Sequence, residues 1–484
     1  MKTHNFPPKA EKHKPNNIPK VLTIAGSDSS GGAGIQADLK TFTALGVYGM
    51  SVITAITSQN TKKVNSVYPL PSKIIRDQLE TVISDIKPDF IKIGMLSNTG
   101  IIEAVTDILK KYKFKNVILD PVMISKSGDS LLDNMSYDIL KEKLIPLTLL
   151  ITPNTIEAEI LTGIKITDFE SIIKTAEKLA KMGAQNVLIK GGHLPSEALA
   201  QGGISDICKD FLLTGNKYIV LSRQRIKTKN THGTGCTYSS AIASFLAKGE
   251  KLEIAVQKAR DYLHLAIRNN IPLGKGNGPV NHLALIQRQE EILLTREEMK
   301  NAILKLNNSH IAGLVPEVQS NLAYALKNAD NLNEVFGFPG RIIRLKEEIK
   351  YLAEPDLGAS KHMGKVVLTA MRYNSTYRAA MNIRFSDKII SICKNLNLKT
   401  AEFNRDKEPA ITKNKEGQTL EWGTDIAIKR SKMIPDIIFD RGANGKEPMI
   451  RVLGKNPDDV ASKIIKIAKS ILKDTRCRIP DTGS

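Results

Sequence analysis

The residues best suited to chemistry lie in a glycine-rich segment near the middle of the chain, Asn230-Thr-His-Gly-Thr-Gly-Cys236. The segment stands directly before residues 237–248, whose apolar pattern predicts a helix. Glycines at a helix start expose unpaired N–H groups at the positive end of the helix dipole, and this favours an anion. We expect Cys236 there to have a lowered pKa and to act as a thiolate base toward a hydroxyl. The alternative is a small buried cysteine at a capping turn.

A second glycine-rich loop, Ala25-Gly-Ser-Asp-Ser-Ser-Gly-Gly-Ala-Gly34, follows the first apolar run. Part of it fits the G-x-G-x-x-A pattern of dinucleotide-binding loops, but no Asp or Glu lies between Asp38 and Asp77 to bind a ribose. A P-loop is excluded because no Gly-Lys pair in the chain is followed by Ser or Thr. The loop is therefore either a tight strand-to-helix turn or a place where backbone approaches a ligand closely.

The elements that must position these loops alternate in type along the first half of the chain. Apolar runs predict strands and amphipathic stretches predict helices, so we expect crossover units around a mainly parallel sheet. Ligands of such sheets bind beyond the carboxyl ends of the strands. The predicted strands are 21–24, 90–93, 116–119, 149–151 and 186–189, and the predicted helices are 72–87, 99–112, 167–182 and 252–268.

A Gly/Asn/Pro cluster at residues 274–279 ends this alternation and predicts a domain boundary. Charged helical sequence follows over residues 282–305, and a second α/β domain is expected after it. Its predicted helices are 318–327, 366–381, 387–396 and 457–473, and its predicted strands are 341–345, 437–440 and 449–453.

Composition narrows the class of protein. The hydrophobic content of 41% and charged content of 25% are those of a globular chain and exclude disorder over most of its 484 residues. No apolar run approaches the ~18 residues that span a bilayer. The net charge of +20 is spread evenly over both halves, which favours phosphorylated small substrates over nucleic acid. Four separated cysteines and the absence of an apolar leader predict reduced thiols in the cytoplasm.

Taken together, the motifs of the first half resemble the hydroxymethylpyrimidine and phosphomethylpyrimidine kinases of thiamine synthesis. They are residues 25–42, Thr54-Ala-Ile-Thr-Ser-Gln-Asn60, Ile93-Gly-Met-Leu96, Leu119-Asp-Pro-Val-Met123, Thr152-Pro-Asn154, Lys190-Gly-Gly-His193 and residues 230–236. The resemblance implies a ribokinase-like fold that uses ATP and Mg²⁺ to phosphorylate the pyrimidine alcohol and then its monophosphate.

The resemblance also implies roles for single residues around the substrate. Gln59 would bond the aminopyrimidine, since an amide has both a donor and an acceptor for a ring nitrogen and its exocyclic amine. Gly26 and Met95 would line the same pocket. Gly233 and Gly235 would stabilise charge on the transferred phosphoryl group.

Further residues are implied in proton transfer and nucleotide binding. Cys236 would be the base, as in the family it resembles, although the wider superfamily usually has Asp there. Lys190 would reach the nucleotide phosphates. Asn154 and Glu157 would hold the water shell of Mg²⁺, and Asp120 would contribute to the metal site. Each of these acidic residues could instead cap a helix or lie in a solvated turn.

In the second half, Arg341 and His362 lie in stretches that suit an anion, residues 338–344 and 358–364. Taken alone, Arg341 could equally pair with an acidic helix and His362 could be a turn histidine. These stretches, with residues 366–378 and 435–442, resemble thiamine-phosphate synthase domains.

The synthase resemblance implies condensation of hydroxymethylpyrimidine pyrophosphate with thiazole phosphate, releasing pyrophosphate. Arg341 would hold the leaving pyrophosphate. His362 would either donate to it or orient the incoming phosphate.

The expected layout is a disordered basic tail (1–20), a ribokinase-like kinase domain (21–283), a helical connector (284–310) and a smaller α/β synthase domain (311–484). Three alternatives stay open: a C-terminal sensor of thiamine phosphate, a feedback module acting on the kinase, and pyridoxal kinase activity in the first domain. We expect small-molecule substrates, no nucleic acid and no membrane, and a homo-oligomer is left open.

Overall fold

A computed structural model of the chain describes residues 18–123, 132–133, 135–191, 207–409, 418–443 and 445–476. The predicted tail up to residue 17, His193 and Cys477 lie outside these residues. The chain divides into two compact units, Met1–Ile286 and Gln287–Ser484, and the division falls within the predicted connector. In the described ranges, no helix is long and apolar enough to cross a membrane.

The apolar runs of the first unit form one sheet. Its strands are β1 (Lys20–Asp28), β2 (Tyr48–Gln59), β3 (Val64–Pro69), β4 (Phe90–Ile93), β5 (Val117–Leu119), β6 (Leu150–Ile151), β7 (Asn186–Ile189), β8 (Ile207–Thr214) and β9 (Lys217–Gln224). Their order in the described chain is β3-β2-β1-β4-β5-β6-β7-β8-β9. The six strands from β2 to β7 in this order pair in parallel, and β3, β8 and β9 add antiparallel edges. The predicted mainly parallel sheet is confirmed.

Helices cover both faces of this sheet. They are α1 (Gly34–Ala44), α2 (Ser72–Asp85), α3 (Thr99–Lys111), α4 (Ser136–Ile139), α5 (Thr155–Thr162), α6 (Phe169–Lys181), α7 (Thr234–Ala247) and α8 (Leu252–Arg268). One buried core joins the sheet to α2, α3, α5 and α6, and a second joins it to α1, α7 and α8. Leu22 and Ile24 of β1 face the first core and Val21 faces the second, as the two-residue period of a strand requires.

The second unit also has a sheet between helices. Its helices are α9 (Ala284–Asn307), which begins just before the division, α10 (Lys361–Tyr373), α11 (Asp387–Asn395), α12 (Gln418–Ser431) and α13 (Pro457–Arg476). Its strands are β10 (Leu322–Ala325), β11 (Val335–Gly337), β12 (Ile342–Leu345), β13 (Glu348–Tyr351), β14 (Asp356–Leu357), β15 (Ala379–Arg384), β16 (Thr400–Glu402), β17 (Ile437–Asp440) and β18 (Met449–Gly454).

This second sheet is mainly antiparallel. Its order in the described residues is β14-β11-β10-β15-β18-β17-β16, only β16 and β17 pair in parallel, and β12 and β13 form a separate hairpin. One core includes α9, α11 and α13, and another includes α10 and α12.

Two predicted helices of the second unit are wrong. Residues 322–325 form β10, where a helix over 318–327 was predicted, and the helix predicted over 366–381 ends at Tyr373 before β15. Both strands are central, and their consecutive residues are buried on both faces. Periodicity does not separate such a strand from a buried helix. The predicted helices 387–396 and 457–473 and the strands 341–345, 437–440 and 449–453 are confirmed within their end residues.

We predict that Ile464→Ala lowers the free energy of unfolding of the second unit by about 2–5 kcal/mol, because Ile464 of α13 is fully buried in its core. The single tryptophan, Trp422, belongs to α12 of this unit, so its fluorescence in urea reports the transition. Leu472→Ala on the same helix is the control, since Leu472 is 48% exposed and should change stability by only about 0.5 kcal/mol. Equal losses in both variants would contradict the assigned core.

Candidate active site

A cavity of about 390 Å³ opens in the first unit, at the carboxyl ends of its parallel strands. Its walls come from the ends of β1 and β2, from the residues that follow β4, β5, β6 and β7, and from the start of α7. The structure brings every residue predicted for the kinase site to this cavity: Gly26, Gln59, Met95, Asp120, Asn154, Glu157, Lys190, Gly233, Gly235 and Cys236.

The buried carboxylate of Asp28 organises the loop between β1 and α1. One oxygen accepts from the N–H and the hydroxyl of Ser30, both at 2.8 Å. The other accepts from the N–H groups of Gly32 and Ala33 and lies 2.8 Å from Nε2 of His232. Burial alone would raise the pKa of Asp28, but the bonds from His232 and Ser30 lower it to about 2. The anionic Asp28 therefore ties the loop between β1 and α1 to the loop before α7, which carries His232.

The two glycine-rich loops also meet backbone to backbone. Gly233 precedes α7 with φ of +78°, in the left-handed region that favours glycine. A Cβ on Gly233 would lie 1.8 Å from the carbonyl oxygen of Gly32. A side chain at position 233 would therefore separate the loops and displace the first turn of α7.

One end of the cavity suits a flat polar ring. The amide oxygen of Gln59 accepts from the Thr57 hydroxyl at 3.4 Å, and its amide nitrogen lies 3.2 Å from Nε2 of His232. The Met95 thioether fills the space opposite Gly26, where an added Cβ would come within 3.1 Å of the sulfur. The amide of Gln59 can form hydrogen bonds with the edge of such a ring, and the thioether of Met95 can pack against its face.

The thiol of Cys236 lies in the first turn of α7, half-buried at the cavity wall. Burial raises its pKa to about 11, and the carboxylates of Asp38 and Asp120 add to the rise. The Lys92 ammonium and the N–H of Gly34 act in the opposite direction. The predicted lowering of this pKa is wrong, because the loss of solvation exceeds the effect of the positively charged groups around the sulfur.

The other end of the cavity carries a buried ion pair. Nζ of Lys190 lies 2.6 Å from Oδ1 of Asp120, whose carboxylate also accepts from the hydroxyls of Thr152 and Ser239 at 3.3 Å. Burial would raise the pKa of Asp120, but Lys190 and Lys92 hold it below its ordinary value. Both members of the pair are therefore charged.

Asn154 and Glu157 form a capping box at the start of α5. The Asn154 side chain accepts from the Glu157 N–H at 2.9 Å, and the Glu157 carboxylate accepts from the Asn154 N–H at 2.7 Å. Burial raises the pKa of Glu157 to about 7, with a further rise from Asp120 that Lys190 opposes. In the described chain, no group of three His, Cys, Asp or Glu could hold a metal ion.

Sequence reasoning assigned no role to three cavity-lining residues with titratable side chains: Asp28, Lys92 and His232. The signal for Lys92 was a charge in the middle of the apolar strand Phe90-Ile-Lys-Ile93. His232 lies within the glycine-rich segment 230–236, but nothing in the sequence pairs it with Asp28, which is 204 residues away.

In the second unit, both residues predicted for synthase chemistry are exposed. Arg341 directly precedes β12 with φ of +68°, and its guanidinium donates to the carbonyl of Val318. His362 is the second residue of α10. Neither belongs to the wall of a cavity of about 680 Å³ in this unit, which is lined by Tyr373, Asn374, Tyr377, Lys399, Ile428, Lys429, Lys432, Met433, Ile434 and Asp436.

Comparison with known proteins places both units. The family model described as Phosphomethylpyrimidine kinase matches residues 28–281, and the model described as Thiamine-phosphate synthase ThiN matches residues 298–466. A hydroxymethylpyrimidine/phosphomethylpyrimidine kinase of Haemophilus influenzae is 49% identical over 270 residues, 56% of this chain and 98% of that relative. The Thiamine biosynthesis bifunctional protein ThiED of Geobacter sulfurreducens is 49% identical over 263 residues, 54% of this chain and only 52% of its own length.

Solved structures agree on the fold of the first unit. An ADP complex of Bacillus subtilis pyridoxal kinase has a TM-score of 0.51 and 40% identity, and the match covers 56% of this chain and 99% of that one. A Staphylococcus aureus pyridoxal kinase in complex with pyridoxal has a TM-score of 0.50 and 35% identity, covering 56% of this chain and 96% of that one.

The first unit is therefore a ribokinase-like domain of the vitamin kinase class, and the second is a smaller α/β domain, so the predicted fold class is confirmed. The chain belongs to the phosphomethylpyrimidine kinase family. It joins that kinase domain of thiamine biosynthesis to a thiamine-phosphate synthase domain, and both resemblances drawn from the motifs are confirmed.

We predict that Asp28→Asn destabilises the first unit in a pH-dependent manner. Since the folded state lowers the Asp28 pKa to about 2, the carboxylate stabilises the fold above pH 4, and this contribution is lost as the pH falls from 4 to 2. The variant should lose about 2 kcal/mol at pH 6, with the difference shrinking below pH 4. Urea unfolding followed by far-UV circular dichroism measures it, and Trp422 fluorescence identifies the second unit's transition. A loss independent of pH would contradict this role of the charge.

Proposed function

We propose that the chain makes thiamine phosphate in three steps. The first unit transfers phosphate from ATP to hydroxymethylpyrimidine and then to its monophosphate. The second unit condenses the resulting pyrophosphate with thiazole phosphate and releases pyrophosphate. The observation that carries the proposal is the gathering of ten motif residues from separate segments around one cavity, in a chain that both family models match.

In the first transfer, the substrate hydroxyl must lose a proton while its oxygen bonds the γ-phosphorus and the bond to ADP breaks. Cys236 takes that proton, since its sulfur lies on the cavity wall beside the glycines of the α7 start. Gln59, Gly26 and Met95 hold the pyrimidine ring. The second transfer differs, because a phosphate monoester oxygen is already ionised near neutral pH and needs little help from a base.

Charge on the transferred phosphoryl group is held by Lys190 and by the N–H groups of Gly233 and Gly235. Gly235 suits this position, because a Cβ there would lie 3.3 Å from Nζ of Lys190 and would occupy the approach to it. The N–H groups at the start of α7 are directed toward an anion by the helix itself.

A Mg²⁺ ion that enters with ATP would neutralise phosphate charge. Asn154 and Glu157 fit its water shell, since both line the cavity and their oxygens already accept hydrogen bonds. Asp120 fits less well as a direct ligand, because Lys190 lies 2.6 Å from its carboxylate. We assign Asp120 to holding Lys190.

In the second unit, Arg341 and His362 hold the leaving pyrophosphate and the thiazole phosphate. Their exposure leaves the guanidinium and imidazole accessible to anionic substrates. We place this chemistry in the cytoplasm, where Cys208, Cys236 and Cys393 stay reduced, in keeping with their being free thiols.

Pyridoxal phosphorylation is a second candidate activity of the first unit. It is supported by the likeness to the Bacillus subtilis pyridoxal kinase, which covers 99% of that chain. Both substrates place a hydroxymethyl group on a nitrogen-containing ring, so Cys236 could serve either. Comparing kcat/KM for hydroxymethylpyrimidine and pyridoxal decides which one the site favours.

We predict that Cys236→Ala slows phosphorylation of hydroxymethylpyrimidine about 10²- to 10⁴-fold. Phosphorylation of the monophosphate should fall far less, because its acceptor oxygen is already ionised. Separate assays of ADP release with each acceptor measure the two steps. Cys208→Ala is the matched control, since Cys208 is also half-buried but does not line the cavity. Equal slowing of both steps would show that Cys236 is not the base.

We predict that Arg341→Ala slows thiamine phosphate formation roughly 10- to 100-fold, because the loss of one charge-assisted hydrogen bond to the substrate corresponds to a change of that size. The two kinase steps should continue unchanged. His362→Ala should likewise accumulate hydroxymethylpyrimidine pyrophosphate. Chromatography of a mixture with ATP, Mg²⁺ and both substrates measures each intermediate. Arg344→Ala is the control, since Arg344 lies three residues further along, on the strand β12 that Arg341 precedes.

One result would overturn the synthase assignment. If the wild-type protein makes hydroxymethylpyrimidine pyrophosphate but no thiamine phosphate, and yet binds thiamine phosphate, then its second unit is a sensor. If binding then changes the kinase rate, that unit is a feedback module.

A further inference from the structure

A fully buried ion pair lies under the cavity of the first unit and has no part in the chemistry described above. Lys92 in the middle of β4 and Asp38 on α1 are both 0% exposed, and Nζ of Lys92 lies 3.0 and 2.9 Å from the two oxygens of Asp38. The carboxylate also accepts from the hydroxyls of Thr23 and Ser240, each at 2.6 Å. Replacing a buried ion pair by apolar residues is often neutral for stability, so stability alone does not explain this pair.

The pair lies close to α7, whose first turn carries the thiol of Cys236, because Asp38 accepts from Lys92 and also from Ser240 of that helix. Lys92 and Cys236 both line the cavity, although the Lys92 side chain is closed to solvent. Gly94 leaves the ammonium room there, since an added Cβ would come within 3.0 Å of Nζ of Lys92. Ser240, which fixes Asp38, stands one helical turn after Cys236 on the same face of α7.

The second helix also joins the pair to the thiol. The N–H of Gly34, the first residue of α1, favours the thiolate of Cys236, and Asp38 follows one turn later on α1. Asp38, which fixes the ammonium, and the thiol are therefore held by the same two helices.

The described charges that face the sulfur come from four elements. Lys92 on β4 favours the thiolate, while Asp38 on α1 and Asp120 after β5 oppose it. Lys190 after β7 interacts with Cys236 as well. Lys92 is the strongest of the favourable charges and exceeds Asp38 in its effect on the sulfur.

We propose that Lys92 is a positioning residue of the kinase, whose ammonium, fixed by Asp38, stabilises the thiolate of Cys236 from beneath the cavity. Lys92 neither gives nor takes a proton: the substrate proton passes to the sulfur while the new O–P bond forms and ADP leaves. This inference rests on the base role proposed for Cys236.

Alkylation of Cys236 by iodoacetamide tests the inference without kinase activity. Only the thiolate reacts, so the pH dependence of the rate reports the thiol pKa. Mass spectrometry of the peptide that contains Cys236 separates it from the other cysteines. The neutral double variant Lys92→Met with Asp38→Asn should raise the thiol pKa, since Lys92 outweighs Asp38 at the sulfur, and slow alkylation at pH 8 by about tenfold for each unit of that rise. Lys92→Arg, which keeps the charge, should stay within about threefold of wild type.

Controls separate this role from a structural one. Lys111→Met with Glu80→Gln neutralises an exposed ion pair away from the cavity and should leave the alkylation profile unchanged. If the double variant does not fold, Lys92→Gln with Asp38→Asn replaces it, because two amides can bond each other in the same space. An unchanged Cys236 profile in a folded neutral variant overturns the proposal.

The kinase assay distinguishes failure of the proposed function. If the base role holds, the neutral variant loses kcat for hydroxymethylpyrimidine at pH 7 and recovers it as the pH rises. Its KM should change little. A Cys236→Ala enzyme with full activity would refute the base role, while the alkylation result would still report the charge that Lys92 places at the sulfur.

Discussion

Charge balance beneath the cavity is the constraint on which the first unit depends. Two ammonium groups, the fully buried Lys92 and the partly buried Lys190, lie there, and each pairs with a buried carboxylate, Asp38 or Asp120. Removing one partner would leave an unpaired buried charge, which typically costs 3–5 kcal/mol. Strands β4, β5 and β7 and helix α1 therefore have to keep the positions that hold these pairs together. The same positions give the site its positive groups, so the fold and the electrostatics of the cavity have one origin.

The charged groups of the two ion pairs also act on the pKa of the Cys236 thiol, in opposite directions. Loss of solvation disfavours the thiolate and so raises the pKa, and the carboxylates of Asp38 and Asp120 raise it further. Lys92 opposes both effects. Phosphate charge entering the cavity would favour the protonated sulfur, which is the state that the proposed proton transfer from the substrate would leave. A sulfur with a raised pKa is thus a better proton acceptor, provided that a nearby cation keeps part of it ionised.

The sequence predicted the first unit well because parallel strands are short apolar runs that helices separate, and because their carboxyl ends meet at one edge. Residues as distant as Gly26 and Cys236 could therefore be placed together from motifs alone. Lys92 was missed because its partner Asp38 is 54 residues away, and the Cys236 pKa was wrong because desolvation depends on packing. In the second unit, β10 and β15 were misread because central strands have no polar face.

In the second unit, the exposed residue Arg341 is positioned by its backbone conformation. Arg341 has φ of +68°, which a β-branched or bulky side chain adopts only where the surrounding backbone fixes it. That backbone is fixed on both sides: Ser320 and Ile342 exchange hydrogen bonds, and Ile342 also pairs with Tyr351 in the hairpin. Strain of this kind persists where the neighbouring structure over-determines it, and it is common in residues that present a side chain to a ligand. The guanidinium of Arg341 is thus set by its backbone, whereas the ammonium of Lys92 is set by a buried carboxylate. The first arrangement leaves a charge exposed on the surface, and the second keeps a charge away from water beneath the cavity.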